Sequence, residues 1–191
     1  SRGYGKKFLK ADNGEGRAKV LLDIERIYNA VAANPLWDQN RIAVMGGSYG
    51  GFMALHSMVN LNNFVRCGID VVGISNFVTF LENTSDYRRD LRRVEYGNER
   101  LPEMRKFLQE LSPLTHVEKI TRPLLIVQGA NDPRVPASES AQIEAALRKK
   151  DIETWYLLAK DEGHGFRKQA NRTFQFLTTV QFLRRHLLGA D

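Results

Sequence analysis

Cys67 is the only cysteine in the chain, which excludes an intramolecular disulfide and a cysteine-based zinc framework. Its setting, "RCGIDVVGIS", reads as a buried strand in which a lone thiol acts as a small hydrophobe. No apolar run approaches the length of a membrane span, and no basic-then-apolar amino terminus marks a signal peptide. Internal repeats and low-complexity segments are missing as well. The formal net charge is +6, yet lysines and arginines are spread along the whole length. In their one concentration, "DYRRDLRRVEYGNER" at 86–100, acids are interleaved with the bases, which argues against a nucleic-acid patch and for a solvated helix face. At 191 residues, 42% hydrophobic and 26% charged, what remains is one globular domain or part of one. The chain reads as soluble, with the compartment left open and cytoplasm favoured over secretion, and with no membrane or nucleic-acid partner and no metal or cofactor. It starts at Ser1 without a methionine, and "SRGYGKKF" reads as loop leading into a helix, as in a piece of a longer protein.

What is present is a regular alternation. Val20, Leu21, Ile24, Ile27, Tyr28 and Val31 recur at three- and four-residue spacing, which predicts an amphipathic helix over 15–33. "NPLWDQN" breaks it, and "RIAVM" at 41–45 then reads as a strand buried on both faces. A helix through about Asn60 and a second buried strand at 67–74 follow. Residues 76–120 are polar, arginine-rich and helical in pattern, an excursion above a sheet punctuated by Pro102 and Pro113. The alternation resumes with a strand at Leu124–Gly129, a helix at 138–149, a strand at 153–159 and a last helix at 170–188. Strands alternating with helices imply an α/β fold, a parallel sheet covered on both faces by right-handed crossovers. Four strands are few for this class, which again fits a partial domain.

Function in such sheets sits at the carboxyl ends of the strands. There, "MGGSYGGF" satisfies G-x-S-x-G through Gly46, Ser48 and Gly50, between an expected strand and an expected helix. That context predicts a nucleophile elbow, with Ser48 on a strained turn and the Tyr49 amide facing developing negative charge. A serine hydroxyl needs a base. Of the four histidines, His56 falls two turns along the helix and reads as packing, while His116 and His186 read as surface residues. His164 in "KDEGHGF" lies between two glycines after the last strand, where it can reach the sheet edge. For the orienting acid, Asp132 in "GANDPRVP" directly follows the third strand. Asp70 lies within a strand, Asp86 in the excursion, and Asp161 and Glu162 read as shaping the histidine loop. The order Ser48, Asp132, His164 is that of the α/β-hydrolases among the convergent triads.

The stretches "MGGSYGGF", "SPLTHVEKITRPLLIVQGANDPRVP" and "DEGHGFRK" resemble the catalytic domain of the prolyl oligopeptidase family of serine peptidases, in its acylaminoacyl-peptidase-like and dipeptidyl-peptidase-like branches. The resemblance runs through nearly the whole chain. It implies a carboxyl-terminal half of an α/β-hydrolase sheet carrying the triad Ser48, Asp132 and His164, with Tyr49 as one oxyanion donor and no cofactor. It further implies that Arg134, two residues after the aspartate, binds the backbone of a peptide substrate. Family members carry a β-propeller and further sheet strands before this region. The resemblance therefore implies that the second oxyanion donor and the substrate filter lie in sequence outside this chain, and that the first strand here has an open edge through which the chain associates or loses stability. The same constellation serves esterases, so a carboxylesterase is a second reading, and a catalytically silent interaction module is a third. Whether Arg88, Arg89, Arg92 and Arg93 face a substrate carboxylate is left open.

Overall fold

The computed structural model describes residues 3–190, so the expected opening loop at Ser1 and Arg2, and Asp191, lie outside the described residues. Four strands, β1 (Ala43–Gly47), β2 (Cys67–Val71), β3 (Leu124–Gly129) and β4 (Thr154–Ala159), form one sheet in the order β1-β2-β3-β4. All three pairings are parallel. Each crossover therefore returns the chain to the same end, and all four carboxyl ends share one edge.

Helices α1 (Gly5–Leu9) and α2 (Arg17–Ala32) precede the sheet, and α3 (Tyr49–Asn60) joins β1 to β2. A short 3-10 turn at Gly14–Gly16 takes up the first residues of the helix expected at 15–33. Between β2 and β3 lie α4 (Phe77–Asn83), α5 (Asp86–Tyr96) and α6 (Pro102–Leu111), the helical excursion. α7 (Ala137–Arg148) connects β3 to β4, and α8 (Gln169–Leu183) closes the chain, running on into a π turn at Arg184–Leu188.

Alternation along the strands divides the core. On one face Leu124 and Ile126 of β3 pack with Leu55 and Met58 of α3, Ile143 and Leu147 of α7, and Tyr28 of α2. On the other, Cys67, Ile69, Leu125 and Val127 enclose Phe182 of α8. Burying an aromatic ring of this size completely is worth about 2–3 kcal/mol, so Phe182 fixes α8 to the sheet. A third cluster, Phe52, Ile74, Phe77, Phe80, Tyr96 and Leu108, lies where the excursion meets α3. The excursion thus has its own aromatic core, despite its polar composition.

Two strands differ from the sequence pattern. β1 was expected at 41–45 and buried on both faces; it runs from Ala43 to Gly47, and Met45 is 58% exposed. The cause is position: β1 is the last strand of the sheet, and α8 is centred on β3 instead. The strand expected at 67–74 ends at Val71, because Val72 takes φ +50° and turns the chain off the sheet. In α5 the solvated-face reading holds for part of the helix only. Leu91 and Val94 point outward, while the Arg93 guanidinium, nine-tenths buried, pairs with buried Glu99.

Candidate active site

Ser48 is the hinge between β1 and α3. Its φ of +57° and ψ of −118° put a side-chain-bearing residue where L-residues rarely sit, a strain of about 1–3 kcal/mol. The surroundings hold it there: its amide donates to the Val71 carbonyl at 2.8 Å, and its carbonyl accepts from Gly51 at 2.9 Å and Phe52 at 3.2 Å. Two of the four neighbouring glycines are sterically required. A Cβ on Gly46 would run into the Gly50 carbonyl, and one on Gly51 would strike the Asp70 carboxyl and come within 2.6 Å of the Gly73 Cα. Gly50 and Gly47 have room for a methyl group. The turn places Tyr49 first in α3, with its amide among the unpaired donors of the helix start.

The Tyr49 ring is anchored from the other side. Arg17, 1% exposed, stacks its guanidinium 4.7 Å from the Tyr49 ring centre and 4.3 Å from that of Tyr96, and donates to the Glu95 carbonyl at 3.3 Å. Burial pushes the Tyr49 phenol above its ordinary value, with the Arg17 charge opposing.

Asp132 and His164 come from different loops that are stitched together. Ala130 donates to the Ala159 carbonyl at 2.9 Å, Asn131 to that of Glu162 at 2.9 Å, and the Asn131 side chain to that of Lys160 at 2.8 Å. Gly129, at the end of β3, allows this approach, since a Cβ there would meet the carbonyls of Gly163 and Glu162. The Asp132 carboxyl is fully buried and accepts three hydrogen bonds. Oδ1 takes the amides of Arg134 at 2.8 Å and Val135 at 3.0 Å, and Oδ2 takes His164 Nδ1 at 2.7 Å. With Nδ1 donating, a neutral imidazole carries its lone pair on Nε2. Ser48 Oγ forms no hydrogen bond to that nitrogen among the described residues; in serine hydrolases such bonds often tighten only when substrate binds.

The histidine loop has its own support. Glu162 accepts from the amides of Arg167 at 3.0 Å and Lys168 at 2.9 Å, and Asp161 pairs with Lys168 at 2.5 Å. Both acids shape the loop, as their closeness in sequence suggests. Arg134 lends its amide to Asp132 and its carbonyl to Thr84 Oγ1 at 2.8 Å, leaving an exposed side chain beside the aspartate. Of the four arginines on α5, Arg89 pairs with Asp86, Arg92 with Glu95, and Arg93 with Asp90 and Glu99.

The remaining histidines lie away from this edge. His56 stacks on Phe52 at 6.0 Å and contacts Asn60, a packing role; burial, with His116 nearby, lowers its pKa to about 4. His116, expected on the surface, is half-buried with Nε2 2.8 Å from the Glu110 carbonyl. His186, also expected there, is a correction: its side chain is 7% exposed, packed on Phe182 at 4.7 Å and Trp155 at 5.9 Å. The π turn after α8 rotates it onto the sheet.

Glu139 of α7 carried no sequence signal beyond being an acid in a first helical turn. It is fully buried and accepts from Ser75 Oγ at 3.1 Å, from the amides of Ser75 at 3.1 Å and Asn76 at 2.8 Å, and from Thr79 Oγ1 at 2.5 Å. Burial raises its pKa, against the pull of these donors. It clamps the start of α4 to α7.

A parallel sheet with helices on both faces, a strained serine between strand and helix, and an aspartate–histidine pair at the same edge define an α/β-hydrolase. Residues 1–190 match the model of the prolyl oligopeptidase family, and the chain belongs to that family. It is 39% identical over 193 residues to dipeptidyl peptidase family member 6 of Caenorhabditis elegans, covering 99% of this chain and 26% of that protein. It is 40% identical over 182 residues to dipeptidyl aminopeptidase BIII of Pseudoxanthomonas mexicana, covering 93% of this chain and 26% of that one. Among solved structures, a Mycobacterium tuberculosis puromycin-hydrolysing peptidase superposes with a TM-score of 0.81 at 29% identity, over 90% of this chain and 25% of that one. The chain thus spans about a quarter of the length of these relatives. No helix among the described residues is long and apolar enough to cross a membrane.

Proposed function

We propose that this chain carries the catalytic centre of a serine peptidase acting on short peptides. Ser48 Oγ attacks the scissile carbonyl while His164 Nε2 takes its proton, and Asp132 holds the imidazole in the required tautomer and stabilises the imidazolium. The tetrahedral oxyanion is met by the Tyr49 amide, with the α3 amino terminus behind it. Collapse expels the amine, which receives the proton from His164 and leaves an acyl ester on Ser48. Water, deprotonated by His164, then releases the acid and restores the serine.

The observation that carries this reading is the 2.7 Å bond from His164 Nδ1 to the fully buried Asp132 carboxyl, at the sheet edge where Ser48 turns into α3. Family membership supports it, and so do relatives named as dipeptidyl peptidases. Arg134 binds a substrate carbonyl or carboxylate, a role that suits a guanidinium fork held beside the aspartate with no ion-pair partner among the described residues. The second oxyanion donor and the filter that limits substrate length come from the rest of a longer protein, of which this family region is about a quarter in the relatives.

The test is turnover of a dipeptide p-nitroanilide beside a p-nitrophenyl ester, in the protein at its full natural length. Amide hydrolysis that disappears in Ser48→Ala is the expected result. Hydrolysis of the ester alone would make the protein an esterase instead, and turnover unaffected by Ser48→Ala would remove Ser48 from the mechanism.

A further inference from the structure

Besides Asp132 and the loop-shaping Glu162, two carboxyls, Asp70 and Glu139, are buried near the carboxyl edge of the sheet, and they differ in one respect. Glu139 is surrounded by donors that account for it as a clamp. Asp70, on β2, is fully buried, and neither of its oxygens has a hydrogen-bond partner. No cation pairs with it among the described residues. A carboxyl in that condition is a costly feature unless it is kept neutral or put to use.

Its position connects it to the elbow. Asp70 stands beside Gly46 of β1 and Ile126 of β3 in the sheet register, and the next residue, Val71, accepts the Ser48 amide at 2.8 Å. Oδ1 fills the slot between Gly51 in the first turn of α3 and Gly73 in the bend after β2; a Cβ on either glycine would collide with it. Asp70 is therefore wedged against the helical turn that carries the Tyr49 amide. The surrounding groups do not compensate a charge. Gly46, Ile126 and Gln128 on the adjoining strands are uncharged, and the one ionisable side chain of α3 before His56 is the Tyr49 phenol, which burial keeps protonated by raising its pKa. From α7, Glu139 contributes only negative charge.

We propose that Asp70 is a positioning residue of the elbow: neutral, it holds the first turn of α3 and the Gly73 bend in register under Ser48, and ionised, it places an uncompensated negative charge beneath the amide that meets the oxyanion, slowing the site. This inference rests on the serine-peptidase reading above. Burial raises the Asp70 carboxyl to about 7, with Glu139 adding to the rise and the Gly73 amide opposing it without a hydrogen bond of standard geometry. Ionisation thus falls in the pH range where a histidine-based hydrolase operates. The Tyr49 amide needs a neutral underside, because an anion close to an oxyanion in a low-dielectric site weakens its stabilisation.

The experiment measures the rate of Ser48 modification by a fluorophosphonate probe across pH, for wild type and Asp70→Asn in the protein at its full natural length. The wild-type rate is expected to fall roughly tenfold above its optimum, less than the hundredfold or more typical of losing an oxyanion donor. Asp70→Asn should lose that fall and keep the acidic limb. Coinciding profiles, or a variant slowed equally at every pH, would overturn the inference. If Asp70→Asn does not fold, infrared difference spectroscopy on wild type decides: the protonated-carboxyl band should vanish in step with the alkaline limb, and a band that is absent or unchanged across it overturns the proposal. Labelling of Ser48 with coinciding profiles refutes the role of Asp70 alone. An unlabelled Ser48 at every pH refutes the peptidase reading and takes this inference with it.

Discussion

His164 Nδ1 and Asp132 Oδ2 are 2.7 Å apart although 32 residues separate them, and the second aspartate oxygen is held by the amides of Arg134 and Val135. The acid is therefore fixed before the histidine is added, and the ring is oriented by a group that cannot itself rotate. Asp132→Asn keeps the shape but offers an amide where the ring needs an acceptor. It is expected to lower kcat by about 10³–10⁴ with a much smaller change in KM, as steady-state kinetics would show. A loss below tenfold would mean that this pair does not orient the base.

The strain at Ser48 makes a prediction about stability in place of activity. Glycine tolerates φ +57° and ψ −118° without a Cβ penalty, so Ser48→Gly should raise stability by about 1 kcal/mol while abolishing turnover. Denaturant unfolding monitored by circular dichroism measures it. A lower midpoint would show that the elbow is not strained.

The glycines around the serine separate into required and replaceable ones. Gly46→Ala drives a methyl into the Gly50 carbonyl, backbone against backbone, and should cost more than about 3 kcal/mol or prevent folding. Gly50→Ala meets nothing within 4 Å and sits in a helix, so it should be neutral or stabilising by up to about 1 kcal/mol. Equal effects from the two substitutions would contradict the packing described for the turn.

Arg93 and Glu99 form a pair nearly withdrawn from solvent, with Nη2 to Oε1 at 2.6 Å. Burial alone would raise the Glu99 carboxyl; the Arg93 guanidinium overrides this and holds it below the usual range. A depressed folded pKa means that the pair's contribution is complete above the ordinary glutamate value and is lost as pH falls from there through the depressed one. Glu99→Gln, which leaves Arg93 without its main partner, should destabilise by about 3 kcal/mol at neutral pH and flatten the acid limb of the stability profile. An acid limb identical to wild type would assign the acid sensitivity to other carboxylates.

Much of the architecture was legible because a parallel sheet writes itself as apolar runs separated by helical periodicity. "LLIVQG" lies mid-sheet and is buried throughout as β3. "RIAVM" is a similarly apolar run, but apolar character does not say where in the sheet a strand lies, and β1 is at the edge with Met45 exposed. The positions of Ser48, Asp132 and His164 at the ends of β1, β3 and β4 could be read from strand boundaries and flanking glycines. His186 could not, since its burial depends on a π turn that no local propensity announces. Nor could the state of Asp70, because an aspartate inside a strand looks the same in sequence whether its partners are present or missing.

The most direct test of the central claim is to treat the protein at its full natural length with a fluorophosphonate and locate the adduct by peptide mass spectrometry. The expected result is one adduct, on the peptide containing Ser48, formed at least about a hundredfold more slowly in His164→Ala. A folded protein that stays unmodified, or that is modified at another serine while turnover is lost, would contradict the assignment of Ser48 as nucleophile.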